Sequence, residues 1–170
     1  MSTANDLLID GFHRVRDTVQ EVVHGLDEDR LAHRPDAEAN SVAWLVWHLT
    51  RVQDDHVAGV AGSEQLWTAG GWVERFRLPF DVEAIGFGQT ADEVGQVRAT
   101  PELLAGYQDA VHAATVDYLG TLTDDDYDRV VDDSFDPPVT LAVRLVSVLN
   151  DTTQHAGQAA YVRGLLDRRG

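Results

Sequence analysis

Asp151 and His155 are four residues apart in a proline-free run from Thr140 to Leu166. That run reads as one long helix, with Leu141, Leu145, Val148, Leu149, Ala159 and Val162 spaced for a buried stripe. A spacing of four stacks a carboxylate above an imidazole on one helix face. Such a pair can grip a divalent cation if a third ligand arrives from another helix. His48 is the best candidate for that ligand. Two His and a carboxylate leave one coordination position open, the pattern of a catalytic zinc site, where bound water or a thiol is polarised or deprotonated.

The residues alone leave alternatives at each position. His48 lies in Val42-Ala-Trp-Leu-Val-Trp-His-Leu49, where an imidazole is costly without a partner. It is either a ligand or a core histidine bonded to a carbonyl or carboxylate. Asp151 puts an acid on a face that should be apolar, which calls for a cation or for an arginine such as Arg144 or Arg163. Gly157 permits close helix approach, and Gln158 is placed to orient a metal-bound histidine. Asp54, Asp55 and His56 form a further group, either partners that orient the metal ligands or, for Asp55, a substitute ligand, with Asp54 expected at a solvated helix end. His13, His24, His33 and His112 have no ligand partner at helical spacing and are set aside.

Four long helices must carry these residues. The first spans Asn5 to Leu26, with Leu7, Leu8, Phe12, Val15, Val19 and Val22 at helical spacing and a stop near Gly25. The second starts from the N-cap Asn40-Ser41 and ends through Gly59 and Gly62. The third opens with Thr100-Pro101, cap and first-turn proline, and runs to about Leu122. Residues 63–100 are irregular, with Leu66, Trp67, Trp72 and Phe76 among repeated Gly and Pro; a loop of that length is a pocket wall, a lid or the cover of an open bundle end. Thr123-Asp-Asp-Asp-Tyr-Asp128 lacks the glycine of an EF-hand loop and reads as a solvated turn. Val130-Val131 and Pro137-Pro138-Val139 predict a short extended segment. The expectation is an all-α four-helix bundle, one domain over residues 1–170, with a long irregular connection between the second and third long helices.

Composition narrows the function classes. The formal charge of −16 opposes nucleic-acid binding, which needs basic residues against phosphates. No apolar run reaches the roughly 18 residues of a membrane helix. The N-terminus lacks the basic and apolar regions of a signal peptide, so a cytoplasmic location is expected. There is no cysteine, so any reactive thiol must come from a ligand. All thirteen basic residues are arginine, which points to a GC-rich, actinobacterial genome.

The segments Leu31-Ala-His-Arg-Pro35, Asn40-Ser-Val-Ala-Trp-Leu-Val-Trp-His-Leu49, Ile85-Gly-Phe-Gly-Gln-Thr-Ala-Asp-Glu-Val94 and Asn150-Asp-Thr-Thr-Gln-His-Ala-Gly-Gln158 resemble the DinB-like superfamily. They are most similar to its bacillithiol- and mycothiol-dependent branch, which includes maleylpyruvate isomerase. The resemblance implies a four-helix bundle, often a homodimer, whose divalent metal, zinc or nickel, is held at positions matching His48, Asp151 and His155. Many members have His, and the isomerase branch Glu, where this chain has Asp151. The implied activity is that of a mycothiol S-transferase: the thiol binds the metal, loses its proton and attacks a small electrophile. Residues 63–100 would wall the pocket, and Arg51 or Arg75 would hold polar groups of the thiol. The rivals are a metal-dependent hydrolase or isomerase, a non-enzymatic metal-binding stress protein, and a plain bundle with Asp151 paired to arginine.

Overall fold

The computed structural model describes residues 3–168, and the elements follow from local chemistry. Helix α1 (Ala4–Val23) begins at a capping box in which the Thr3 hydroxyl accepts from the Asp6 N–H and the Asp6 carboxylate accepts from the Thr3 N–H. A one-turn α2 (Glu28–Ala32) follows, capped by Asp27. Ser41 caps α3 (Val42–Ala61), which ends at Gly62 in the left-handed conformation; Gly59, expected to help end it, lies inside. Thr100 caps α7 (Pro101–Thr121). The last helix, α8 (Leu141–Arg168), starts where the Thr140 hydroxyl accepts from the Val143 N–H.

The connections carry more structure than the sequence predicts. Between α3 and α7 lie three short helices: α4 (Leu66–Ala69), α5 (Trp72–Phe76) and α6 (Ala91–Val94). Asp124–Asp128 is a 3-10 turn with its own capping box. The expected extended segment is an antiparallel pair, β1 (Val130–Asp132) with β2 (Val139–Thr140), in which Val130 faces Thr140. Among the described residues no helix is long and apolar enough to cross a membrane.

The long helices α1, α3, α7 and α8 pack as an all-α bundle, and α3 is its most buried member, with polar as well as apolar residues inside. The main core joins Val15, Val19, Leu45, Leu49, Tyr107 and Val111 to Trp67, Trp72, Phe76 and Val97 from the 63–100 connection. That connection is therefore part of the core. Phe12, Leu119, Tyr127, Leu141, Leu145 and Val148 close the other end.

One polar residue fixes the connection in place. Asp54 is 4% exposed, where a solvated helix end was expected. Its carboxylate accepts from the Leu66 N–H (2.9 Å), the Trp67 N–H (2.7 Å) and the Tyr107 hydroxyl (2.7 Å), with Arg51 at 3.7 Å. It satisfies the first amides of α4 and, among the described residues, is the only carboxylate within 4 Å of the Arg51 guanidinium, so its removal strands several buried groups at once. Asp54→Ala should cost about 3–5 kcal/mol in urea denaturation. A change within about 0.5 kcal/mol, the usual effect at a solvated position, would contradict this account.

Candidate metal centre

Helices α3 and α8 run antiparallel along a shared seam. Leu45 and Val162 line one cavity, the His48 and His155 rings are 4.7 Å apart, and Arg144 approaches the His56 ring at 3.5 Å. At mid-seam the structure gathers His48, Asp151 and His155, with one candidate ligand atom from each within 4.8 Å of the others. Zinc bonds to such atoms run about 2.0–2.2 Å, so this is the neighbourhood a single cation needs.

The outer ring nitrogens are already committed. His48 Nδ1 is 2.5 Å from the Ile85 carbonyl, which can only accept, so Nδ1 carries the proton and Nε2 keeps its lone pair. His155 Nδ1 donates to Gln158 Oε1 at 3.1 Å, leaving Nε2 beside Asp151 Oδ1 at 3.6 Å. These contacts fix tautomer and ring orientation as metal-binding histidines require. Burial, first of all, pushes the His48 pKa below the usual imidazole range, against the pull of the Ile85 carbonyl, so the ring is neutral and ready to ligate at neutral pH.

Asp151 supplies the test of fit. Its Oδ2 is buried and has no hydrogen-bond partner. Neither arginine considered for it is free to help. Arg144 pairs with Asp132 at 2.9 Å, and Arg163 with Asp167 at 2.9 Å and with the carbonyls of Val22 and His24. An orphaned carboxylate oxygen next to two inward imidazole nitrogens is a donor set suited to a divalent cation. The Asp151 side chain is 38% exposed, so the cluster is open on one side.

The other expected residues fall elsewhere. Asp55 accepts from Gln65 at 2.8 Å and flanks His56 at 3.5 Å, outside the cluster. Arg51, expected to reach toward a cofactor, is fully buried and donates to the Ala84 carbonyl, Gln65 and Tyr107. Arg75 is stacked on Trp72, 3.8 Å from the ring centre. His112 is not alone, because its Nε2 lies 2.9 Å from His13 Nδ1 across α1 and α7.

Three contributors escape a reading of side-chain types. Trp44 stacks on His48 at 4.6 Å, meets His155 edge-on at 6.2 Å, and donates its indole N–H to Gln89 at 2.7 Å. Ile85 acts through its carbonyl. Gly86 has φ 95°, and a Cβ there would sit 2.7 Å from His48 Nδ1 and 3.1 Å from Trp47. Only glycine both adopts that conformation and leaves room for the imidazole. The sequence signals here are a Gly-rich turn within an irregular region and the place of Ile85 and Gly86 in a segment that carries the family resemblance. Gly86→Ala should displace the ring and lower zinc affinity about 10–100-fold by competition titration, with helical content retained. Unchanged affinity would show that this backbone approach does not orient His48.

A search of curated proteins found no match. A crystal structure of a conserved protein from Enterococcus faecalis is similar over 98% of this chain and 98% of its own, with 30% identity and a TM-score of 0.91. The model of the mycothiol S-transferase family matches residues 7–168, nearly the whole described chain, and includes all three residues of the cluster. The chain belongs to the mycothiol S-transferase family.

Proposed function

We propose that the chain is a metal-dependent thiol transferase in which His48, Asp151 and His155 hold a divalent cation, zinc or else nickel, and mycothiol delivers its sulfur to a small electrophile. The observation that carries this reading is the orphaned, buried Oδ2 of Asp151 between imidazoles whose Nδ1 atoms are engaged outward. A cation held there supplies Lewis acidity, which favours the thiolate of an incoming thiol at neutral pH.

The chain's own residues set the conditions. Two neutral imidazoles and one carboxylate leave a divalent cation with a net positive charge, which favours an anionic sulfur over a neutral one. Ile85 and Gln158 hold the imidazoles in place, so no reorientation is needed when substrate arrives. Trp44 and the 84–89 segment cover the α3 side, and the exposed edge of Asp151 leaves the approach for substrates. With no cysteine in the chain, the sulfur comes from the co-substrate. The transfer forms a carbon–sulfur bond, the leaving group departs with its electron pair, and the thiol proton passes to solvent. A homodimer goes with this reading on the resemblance to relatives, and a cytoplasmic location is part of the same proposal.

The test is formation of a mycothiol S-conjugate from an alkyl halide by the zinc-loaded protein and by His155→Ala, with elemental analysis of both. At pH 7 a thiol of ordinary pKa is only about 3% thiolate, so loss of the cation should cost about thirtyfold in rate from that effect alone. Wild type should hold one zinc per chain and turn over; His155→Ala should lose the zinc and slow by about thirtyfold or more. Turnover of the electrophile without thiol would instead make the protein a hydrolase. Zinc-independent conjugation would remove the metal from the account.

A further inference from the structure

The α3–α8 seam opens into a cavity on each side of the His48–Asp151–His155 cluster, and the two differ in chemistry. Toward the end of α3 lies a cavity of about 550 Å³ lined by Asp55, His56, Gly59, Arg129 and Arg144, among others. Asp55 and Arg144 are each seven residues from a cluster residue, His48 and Asp151, or about 10 Å along the helix. Toward the start of α3 lies a cavity of about 670 Å³ lined by Leu45, Gly157, Gln158, Tyr161, Val162 and Leu165. It reaches the cluster directly through Gln158, the partner of His155.

Two glycines point the same way. Within helices, Gly11 and Gly106 have packing reasons: an added Cβ would meet Leu149 at 2.7 Å or Trp72 at 3.1 Å. Gly59 and Gly157 have none, since a Cβ at either would meet nothing within 4 Å, and neither has a positive φ. Gly120 is equally open but lines neither cavity. A glycine inside a helix costs about 0.5–1 kcal/mol relative to alanine. At Gly59 and Gly157 that cost keeps one cavity clear on each helix.

We infer that the cavities are the two halves of the substrate site: the polar one seats the uncharged polyhydroxylated carrier of the thiol, and the apolar one seats an apolar electrophile. This rests on the transferase reading above. The polar cavity interleaves donors and acceptors with balanced charge: Arg129 and Arg144 are matched by Asp55 in the lining and by Asp132, which pairs with Arg144 at 2.9 Å, while Arg129 donates to the Val60 carbonyl and the Tyr118 hydroxyl. An anion at Arg144 would have to compete with Asp132, and one at Arg129 would share the cavity with Asp55, whereas hydroxyl groups can use both the guanidinium donors and the carboxylate acceptor. Mycothiol has such a carrier, a glucosaminyl-inositol unit joined to its cysteine by an amide. The lining of the other cavity, with Tyr161 67% exposed at its wall, suits an apolar partner. Thiol and electrophile then reach the cluster from opposite directions.

The test is calorimetric titration of zinc-loaded protein with N-acetylglucosaminyl-inositol, which keeps the hydroxyls and lacks the thiol. Wild type should bind it. Gly59→Trp should weaken binding about tenfold or more, with helical content and zinc stoichiometry unchanged, and Gly157→Trp should not. Gly59→Leu repeats the test with a smaller side chain. In turnover, Gly157→Trp should raise KM for the electrophile and leave that for mycothiol unchanged. No polyol binding by wild type, or binding insensitive to both Gly59 variants, overturns the assignment even if mycothiol-dependent turnover persists. Polyol binding sensitive to Gly59 in a protein without thiol-dependent turnover would keep the polyol subsite and remove the transferase reading.

Discussion

An acid placed where a helix seam should be apolar sets the terms for the rest of this molecule. Asp151 lies on the face of α8 that meets α3, with one oxygen buried and unpartnered, and a carboxylate in that state raises the energy of the fold unless positive charge joins it. Arginines close enough in sequence are held by Asp132 and Asp167. What does face Asp151 is a pair of imidazoles, one of them kept neutral by burial. An imidazole held neutral at His48 does not compensate that charge, and the buried Oδ2 has no hydrogen-bond donor, so the cluster calls for a cation.

The bundle supplies the rigidity that this cluster needs. Along α3, His48, Arg51 and Asp54 recur every three residues, and each reaches into the connection before α7. His48 donates to the Ile85 carbonyl, Arg51 to the Ala84 carbonyl, and Asp54 accepts from the amides of Leu66 and Trp67. The same helix therefore presents the site and ties down the segment that orients it. Arg51 holds the carbonyl next to the one His48 uses, so the long connection is not a loose lid. Trp67, Trp72 and Phe76 lock it further by packing around Tyr107.

Much of this was legible in the residues. Caps at Ser41 and Thr100, helical stripes and the four-residue spacing of Asp151 and His155 predict the long helices and the acid–imidazole pair, because these signals are local. The failures are equally physical. Asp54 was read as solvated because a carboxylate late in a helix usually is, and nothing in the sequence shows three donors converging on it from the connection and α7. Arg51 reads as a ligand-binding residue because a buried guanidinium bracing the Ala84 carbonyl leaves no motif. His112 looked isolated because its partner, His13, comes from another helix. The Ile85 carbonyl has no side-chain signature at all, and Gly86 carried only the ambiguous mark of a turn.

The central claim is that one cation joins α3 to α8 through His48, Asp151 and His155. It is tested most directly by an anomalous difference map from crystals of zinc- or nickel-loaded protein, recorded at the absorption edge of that metal. The account expects one peak per chain, about 2.0–2.2 Å from His48 Nε2, His155 Nε2 and an Asp151 carboxylate oxygen. A peak elsewhere, or an empty cluster in which Asp151 has turned to another partner, would contradict it.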